Sequence, residues 1–106
     1  MNGGAIANNI ANVGGGVLLN NAAAIFEMNG GAIKRNEAQN GGGVNIASGT
    51  MTMTGGQIEY NKATNGNGGG VRVGGTFIRN GNIVENNTST AGSPDVQELP
   101  GSIYIP

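Results

Sequence analysis

The chain has no cysteine and no histidine. The first absence excludes disulfides. Together the two remove the commonest catalytic bases, nucleophiles and transition-metal ligands, so no metal or cofactor is expected. Tryptophan is absent as well, and aromatic residues make up only 4% of the chain. Charged residues are 10%, with a net charge of −1. Lys34, Arg35, Lys62, Arg72 and Arg79 lie scattered. No basic stripe therefore offers itself to nucleic acid or to an anionic membrane surface. No apolar run reaches the roughly 18 residues of a membrane span, and no leader-like pattern opens the chain. Membrane insertion is not expected.

What fills the chain is glycine, 22 of 106 residues, and asparagine, 17. Low charge with few aromatics fits neither an ordinary globular domain nor a charged disordered tail. The glycine and asparagine are ordered by repetition. Met1-Asn2-Gly3-Gly4-Ala5-Ile6 recurs residue for residue as Met28-Asn29-Gly30-Gly31-Ala32-Ile33. Met53-Thr54-Gly55-Gly56-Gln57-Ile58 and Arg79-Asn80-Gly81-Asn82-Ile83-Val84 are the third and fourth copies. Successive copies stand 27, 25 and 26 residues apart. The chain is thus one repeat domain of four units, approximately 1–27, 28–52, 53–78 and 79–106. It is either whole or an excerpt of a longer array.

Each unit carries three short apolar stretches. Several alternate apolar and polar residues, as half-buried strands do: Val44-Asn45-Ile46, Val71-Arg72-Val73, Met51-Thr52-Met53. Gly/Asn-rich turns separate them, and no helical stripe persists from unit to unit. The expected fold is all-β: a single-stranded right-handed parallel β-helix of about four coils of 25–27 residues, three short strands per coil. The right hand follows from the bias of parallel β crossovers. Equivalent strands stack at about 4.8 Å, so four coils rise roughly 19 Å. Equivalent residues then form inward columns: Ile6/Ile33/Ile58/Val84, Val17/Val44/Val71/Val96, Leu19/Ile46/Val73 and Phe26/Met51/Phe77/Ile103. A further column, Met1/Met28/Met53/Ile105, contains Arg79, where an unpaired inward guanidinium would be costly. A register shift or outward turn is expected there.

Asn9, Asn36, Asn61 and Asn87 recur after the first strand of each unit. Stacked asparagine amides hydrogen-bond from strand to strand in cross-β arrays, and asparagine tolerates the left-handed backbone of a sharp corner. These four residues are expected to form a structural ladder. Ile6 to Val17 and Ile33 to Val44 each span 11 steps, but Ile58 to Val71 spans 13. The linker before the third strand varies too, so additional residues should bulge at these first two corners, which makes them places for recognition.

Laid out this way, the chain resembles the right-handed parallel β-helix proteins of the pectate-lyase-like superfamily. More narrowly it resembles the repeats of bacterial surface proteins and chlamydial polymorphic membrane proteins. Gly3-Gly4-Ala5-Ile6 and Gly30-Gly31-Ala32-Ile33 match their Gly-Gly-Ala-Ile tetrapeptide. Phe26-Glu27-Met28-Asn29 and Phe77-Ile78-Arg79-Asn80 match their Phe-x-x-Asn tetrapeptide. The resemblance implies a bacterial or archaeal cell-surface or extracellular passenger or stalk with structural or adhesive roles.

The remaining chemistry is sparse. Asp95 is the one aspartate, beside Glu27, Glu37, Glu59, Glu85 and Glu98. Glu59 and Glu85 fall in one column and should stand about 5 Å apart, the carboxylate separation of retaining glycosidases. No cleft or aromatic sugar platform accompanies them, and an exposed ladder pair whose repulsion is offset by Lys34 one coil away is the favoured explanation. Asn65-Gly66-Asn67-Gly68-Gly69-Gly70 lacks the acidic residues of a calcium loop and the lysine of a phosphate loop. Thr50, Thr52 and Thr54 share a face, but neighbouring coils do not continue a threonine array of the ice-binding kind. Asn86-Asn87-Thr88 and Asn87-Thr88-Ser89 are glycosylation sequons of the sort that an asparagine-rich chain produces by chance. No catalytic, cofactor-binding or metal-binding residue is assigned. The expected function is a non-enzymatic surface protein whose uncapped coils stack head to tail with further copies or join a longer stalk. A host-surface or glycan ligand is its expected outside partner. The alternative is a carbohydrate-binding or carbohydrate-cleaving β-helix acting through Glu59 and Glu85.

Overall fold

A computed structural model describes residues 1–106. The first coil holds β1 (Ala5–Ala7) and β2 (Val17–Met28). The second holds β3 (Ala32–Lys34), β4 (Glu37–Ala38) and β5 (Val44–Met53). The third holds β6 (Gln57–Glu59), β7 (Lys62–Ala63), β8 (Val71–Val73) and β9 (Thr76–Ile78). The fourth holds β10 (Ile83–Glu85), β11 (Thr88–Ser89), β12 (Val96–Glu98) and β13 (Ile103–Ile105). Every pairing is parallel and joins a strand to its counterpart one coil away. The protein is a parallel β-solenoid of about four turns with no helix.

Beside the three strand positions per coil, a two-residue ladder follows each asparagine corner, formed by β4, β7 and β11. In the first coil it dwindles to single bridges, Ile10 to Glu37 and Val13 to Asn40. In the first two coils the second and third strand positions merge into the long strands β2 and β5. Their shared register breaks between Leu19 and Ile25, where β2 carries the longer corner.

Register sets the columns. Ile6, Ile33, Ile58 and Val84 pair in series, as do Val17, Val44, Val71 and Val96. Leu19, Ile46 and Val73 form a third series, which ends on Glu98. In the third-strand column Phe26, Met51 and Phe77 pair in series, but the fourth member is Tyr104 rather than Ile103. Ile103 pairs with Thr76 and is exposed. The offset is one residue, which in a strand exchanges the two faces. Its physical reason is aromatic: the Tyr104 ring stacks on Phe77 with centroids 5.5 Å apart and planes 22° from parallel. Apolar residues of the two middle coils (Ile33, Val44, Ile46, Met51, Met53, Ile58, Val71, Val73, Phe77) are fully buried, because each has a coil above and below. Burying one such side chain contributes about 1.5–3 kcal/mol.

Strand register holds through Ile78, so the disturbance at Arg79 falls in the corner that follows. In the first three coils the second glycine of the Gly-Gly pair takes positive φ: Gly4, Gly31 and Gly56. The fourth coil has Asn82 at that place, and positive φ moves to Asn80 and Gly81. Asn82 Nδ2 donates to the Met53 carbonyl at 2.9 Å, replacing the backbone donor that Thr54 supplies to Met28 one coil earlier. Half-buried Arg79 donates from Nε to the Asn82 carbonyl (2.5 Å) and from Nη1 to Tyr104 Oη (3.0 Å). The guanidinium that follows Met53 in the methionine column is thereby partnered, and Ile105 lies outside that column, since it pairs with Ile78 and is exposed.

Candidate functional site

The most elaborate polar arrangement is the corner after the first strand. The residue that turns the chain there is the one before each ladder asparagine: Asn8, Arg35, Tyr60 and Asn86, with φ of 61°, 54°, 57° and 57°. The left-handed role expected of Asn9, Asn36, Asn61 and Asn87 thus belongs to their predecessors. The αL turn aims the following N–H along the solenoid axis. Asn36 N donates to Asn61 Oδ1 (3.0 Å), and Asn61 N to Asn87 Oδ1 (3.0 Å). The side-chain amides run parallel to these bonds. Asn9 Nδ2 donates to Asn36 Oδ1, Asn36 Nδ2 to Asn61 Oδ1, and Asn61 Nδ2 to Asn87 Oδ1, each at 3.0 Å. Each of the last three asparagines also donates from Nδ2 backward, to the carbonyl of Ile6, Ile33 or Ile58. Asn36 and Asn61 therefore tie three coils together, and both are 1% exposed.

The ladder is polar and has two different ends. Each coil donates and the next accepts. At the first coil Asn9 Oδ1 receives no hydrogen bond, and Asn9 is exposed. At the fourth coil Asn87 N and Nδ2 both donate to Asp95 Oδ1, each at 3.1 Å. That two-donor pattern is the one every ladder Oδ1 receives, so the Asp95 carboxylate stands where the amide of a further coil would.

A glycine column shows why Asp95 can do this. Val96 pairs with Val71, which aligns Asp95 with Gly70, Gly43 and Gly16. A Cβ on Gly16 would approach Asn36 Nδ2 to 3.1 Å, on Gly43 Asn61 Nδ2 to 2.9 Å, and on Gly70 Asn87 Nδ2 to 2.7 Å. The ladder amide of the next coil fills the space over each glycine, so only glycine fits beneath it. Over Asp95 that space is occupied by its own side chain. The first glycine of each run, Gly14, Gly41 or Gly68, has another task and takes positive φ.

A second ladder runs along the outside of the Gly-Gly corner with opposite polarity. Asn29 Nδ2 donates to Asn2 Oδ1 (2.9 Å), and Thr54 Oγ1 donates to Asn29 Oδ1 (2.7 Å). The other candidates lie on the open flanks. Glu59 and Glu85 pair in register with Lys34 on the opposite side of Glu59. Thr50 pairs with Thr76, but Ile25 and Ile103 stand at either end. The longer third-coil loop is tied down by Asn67 Oδ1, which accepts from Ser93 N (3.0 Å). The surface holds no enclosed pocket, and no three acidic side chains converge. No helix is long and apolar enough to cross a membrane.

Asp95, Asn82 and Tyr104 take roles that the repeat pattern does not assign. A signal for Asp95 exists. Three coils read Gly-Gly-Gly-Val before the second strand, and the fourth reads Ser93-Pro94-Asp95-Val96. No family model, curated protein or solved structure matches the chain.

Proposed function

We infer that this β-solenoid is a structural or adhesive module of a bacterial or archaeal cell surface. It associates end to end with further copies or takes its place in a longer stalk. The observation that carries this reading is the complementarity of its two ends. The open face of the first coil carries half-buried Met1, Ile6, Val17 and Phe26, and that of the last carries half-buried Val96 and Tyr104. The ladder leaves an unused acceptor, Asn9 Oδ1, at one end, and at the other its donors, Asn87 N and Nδ2, are held by Asp95. Stacking the first coil of one copy on the last coil of another would continue the columns as Ile6 on Val84, Val17 on Val96 and Phe26 on Tyr104. Such a head-to-tail contact repeats without closing and builds a filament. Kinship with surface-protein β-helix repeats is part of the same reading and rests on the Gly-Gly-Ala-Ile and Phe-x-x-Asn matches. Sedimentation and negative-stain microscopy across protein concentration test it. Particles lengthening along the solenoid axis support it. Monomers at every concentration, for both wild type and the end-opened variant described below, remove it.

A carbohydrate-directed role is the second reading, favoured only by the in-register Glu59–Glu85 pair. It requires Glu59→Gln or Glu85→Gln to abolish cleavage or binding of a polysaccharide. Inactivity of the wild-type chain across a polysaccharide panel removes it.

A further inference from the structure

We propose that two carboxylates, Asp95 and Glu98, close the fourth-coil face against a second copy of this chain. End-to-end association is then set by how readily they give way. The proposal rests on the self-association reading above and adds its regulation.

The first gate is Asp95. An incoming first coil would bring Asn9 Oδ1 to the donors of Asn87, since every coil junction inside the molecule is made that way. Asp95 Oδ1 already holds both donors. It also fills the volume that an incoming ladder amide needs, the volume that glycine leaves empty at positions 16, 43 and 70. Stacking therefore has to expel a side chain and break two hydrogen bonds before it can remake them.

The second gate is Glu98. It pairs with Val73 at the end of the Leu19/Ile46/Val73 series, where the apolar series would otherwise continue. The incoming residue there is Leu19. Covering Glu98 with it would desolvate a carboxylate that has no hydrogen-bond partner of its own. Charged residues placed at inward positions of an exposed strand are a known guard against edge-to-edge pairing. The three prolines of the chain (Pro94, Pro100, Pro106) also lie in this last coil. None lies in the first coil, whose open face holds the long edge strand β2.

The same face thus carries matching columns and two obstacles, which describes a closed junction rather than an absent one. The test is a set of four proteins: wild type, Asp95→Gly/Glu98→Val, Asp95→Asn/Glu98→Val and Glu98→Val. Sedimentation velocity gives the concentration at which each begins to associate, and circular dichroism checks folding. The Asp95→Gly/Glu98→Val protein is expected to associate at a concentration at least roughly tenfold lower than wild type, since it regains two hydrogen bonds and an apolar contact. The asparagine version keeps the ladder position filled and is expected to associate no more readily than Glu98→Val alone. If the Asp95→Gly/Glu98→Val protein does not fold, Glu98→Val carries the test, because Glu98 makes no hydrogen bond to lose. Its association must then exceed that of wild type. Wild type associating as readily as the opened variants would overturn the gate and leave the self-association reading standing. A folded Asp95→Gly/Glu98→Val protein that stays monomeric throughout would overturn both.

Discussion

Replacing Asn61 by leucine should be among the most damaging single changes in the molecule. Its side chain is 1% exposed and makes four hydrogen bonds. It accepts from Asn36 N and Asn36 Nδ2, and it donates to the Ile33 carbonyl and to Asn87 Oδ1. Two partners keep other bonds: Asn36 Nδ2 retains the Ile6 carbonyl, and Asn87 Oδ1 retains Asn61 N. The Asn36 N–H and the Ile33 carbonyl lose their side-chain partner at a site no water reaches. At about 1–3 kcal/mol for each buried group so deprived, the loss is about 2–6 kcal/mol. Leucine is similar in volume, so little of this comes from packing. Asn9→Leu is the internal control. It removes the same amide at the exposed end of the ladder, where water can serve Asn36 Oδ1, and should cost under about 1 kcal/mol. Urea denaturation of wild type, Asn61→Leu and Asn9→Leu measures the three, with the slope checked for constancy. Equal losses for the two variants would refute the claim that the buried ladder is a cohesive element and that position along it sets its weight.

Tyr60 holds φ of 57° with its ring half in solvent, so Tyr60→Asn should raise stability by about 0.5–1 kcal/mol by relieving a left-handed backbone. A lower midpoint in thermal unfolding would show that ring contacts outweigh that strain. Gly43→Ala should cost about 1–3 kcal/mol, because its Cβ would stand 2.7 Å from the Gly70 carbonyl oxygen and 2.9 Å from Asn61 Nδ2. Gly92→Ala, with open space around it, should leave the unfolding midpoint unchanged, and the two are compared in one denaturation series. Phe77→Ala should cost about 3–5 kcal/mol and loosen the last coil by removing the ring on which Tyr104 stacks. Near-ultraviolet circular dichroism reports the Tyr104 environment, and an unchanged signal would contradict the stacking.

Much of the solenoid is visible in the sequence because parallel stacking places each residue on its own counterpart. Ile6, Ile33, Ile58 and Val84 announce a column by recurring, whatever the local propensity of their neighbours. Asn36 and Asn61 announce the ladder in the same way. Features that depend on neighbours a coil lacks are harder to read. Asp95 stands in the glycine column and takes the two Asn87 donors itself, and repetition cannot flag a departure as a device. The two-residue ladder of Glu37–Ala38, Lys62–Ala63 and Thr88–Ser89 is too short to carry a periodic pattern. In Ile103-Tyr104-Ile105 alternation fits either face, and only the Phe77 ring beneath selects Tyr104. The turning residue stands one place before the ladder asparagine, because the corner uses the N–H that follows an αL residue. Arg35 and Tyr60 there show that the hydrogen bond matters more than the residue type that makes the turn.

Residue-resolved hydrogen exchange on the monomer tests most directly the claim that one hydrogen-bonded track runs from Asn9 to Asp95. The backbone N–H groups of Asn36, Asn61 and Asn87 should exchange slowly and within roughly tenfold of one another, since each donates to an Oδ1 one step further along. Asp95→Gly should release Asn87 by at least about tenfold while leaving Asn36 unchanged. An Asn87 N–H that exchanges as fast in the wild type as in Asp95→Gly would contradict the account.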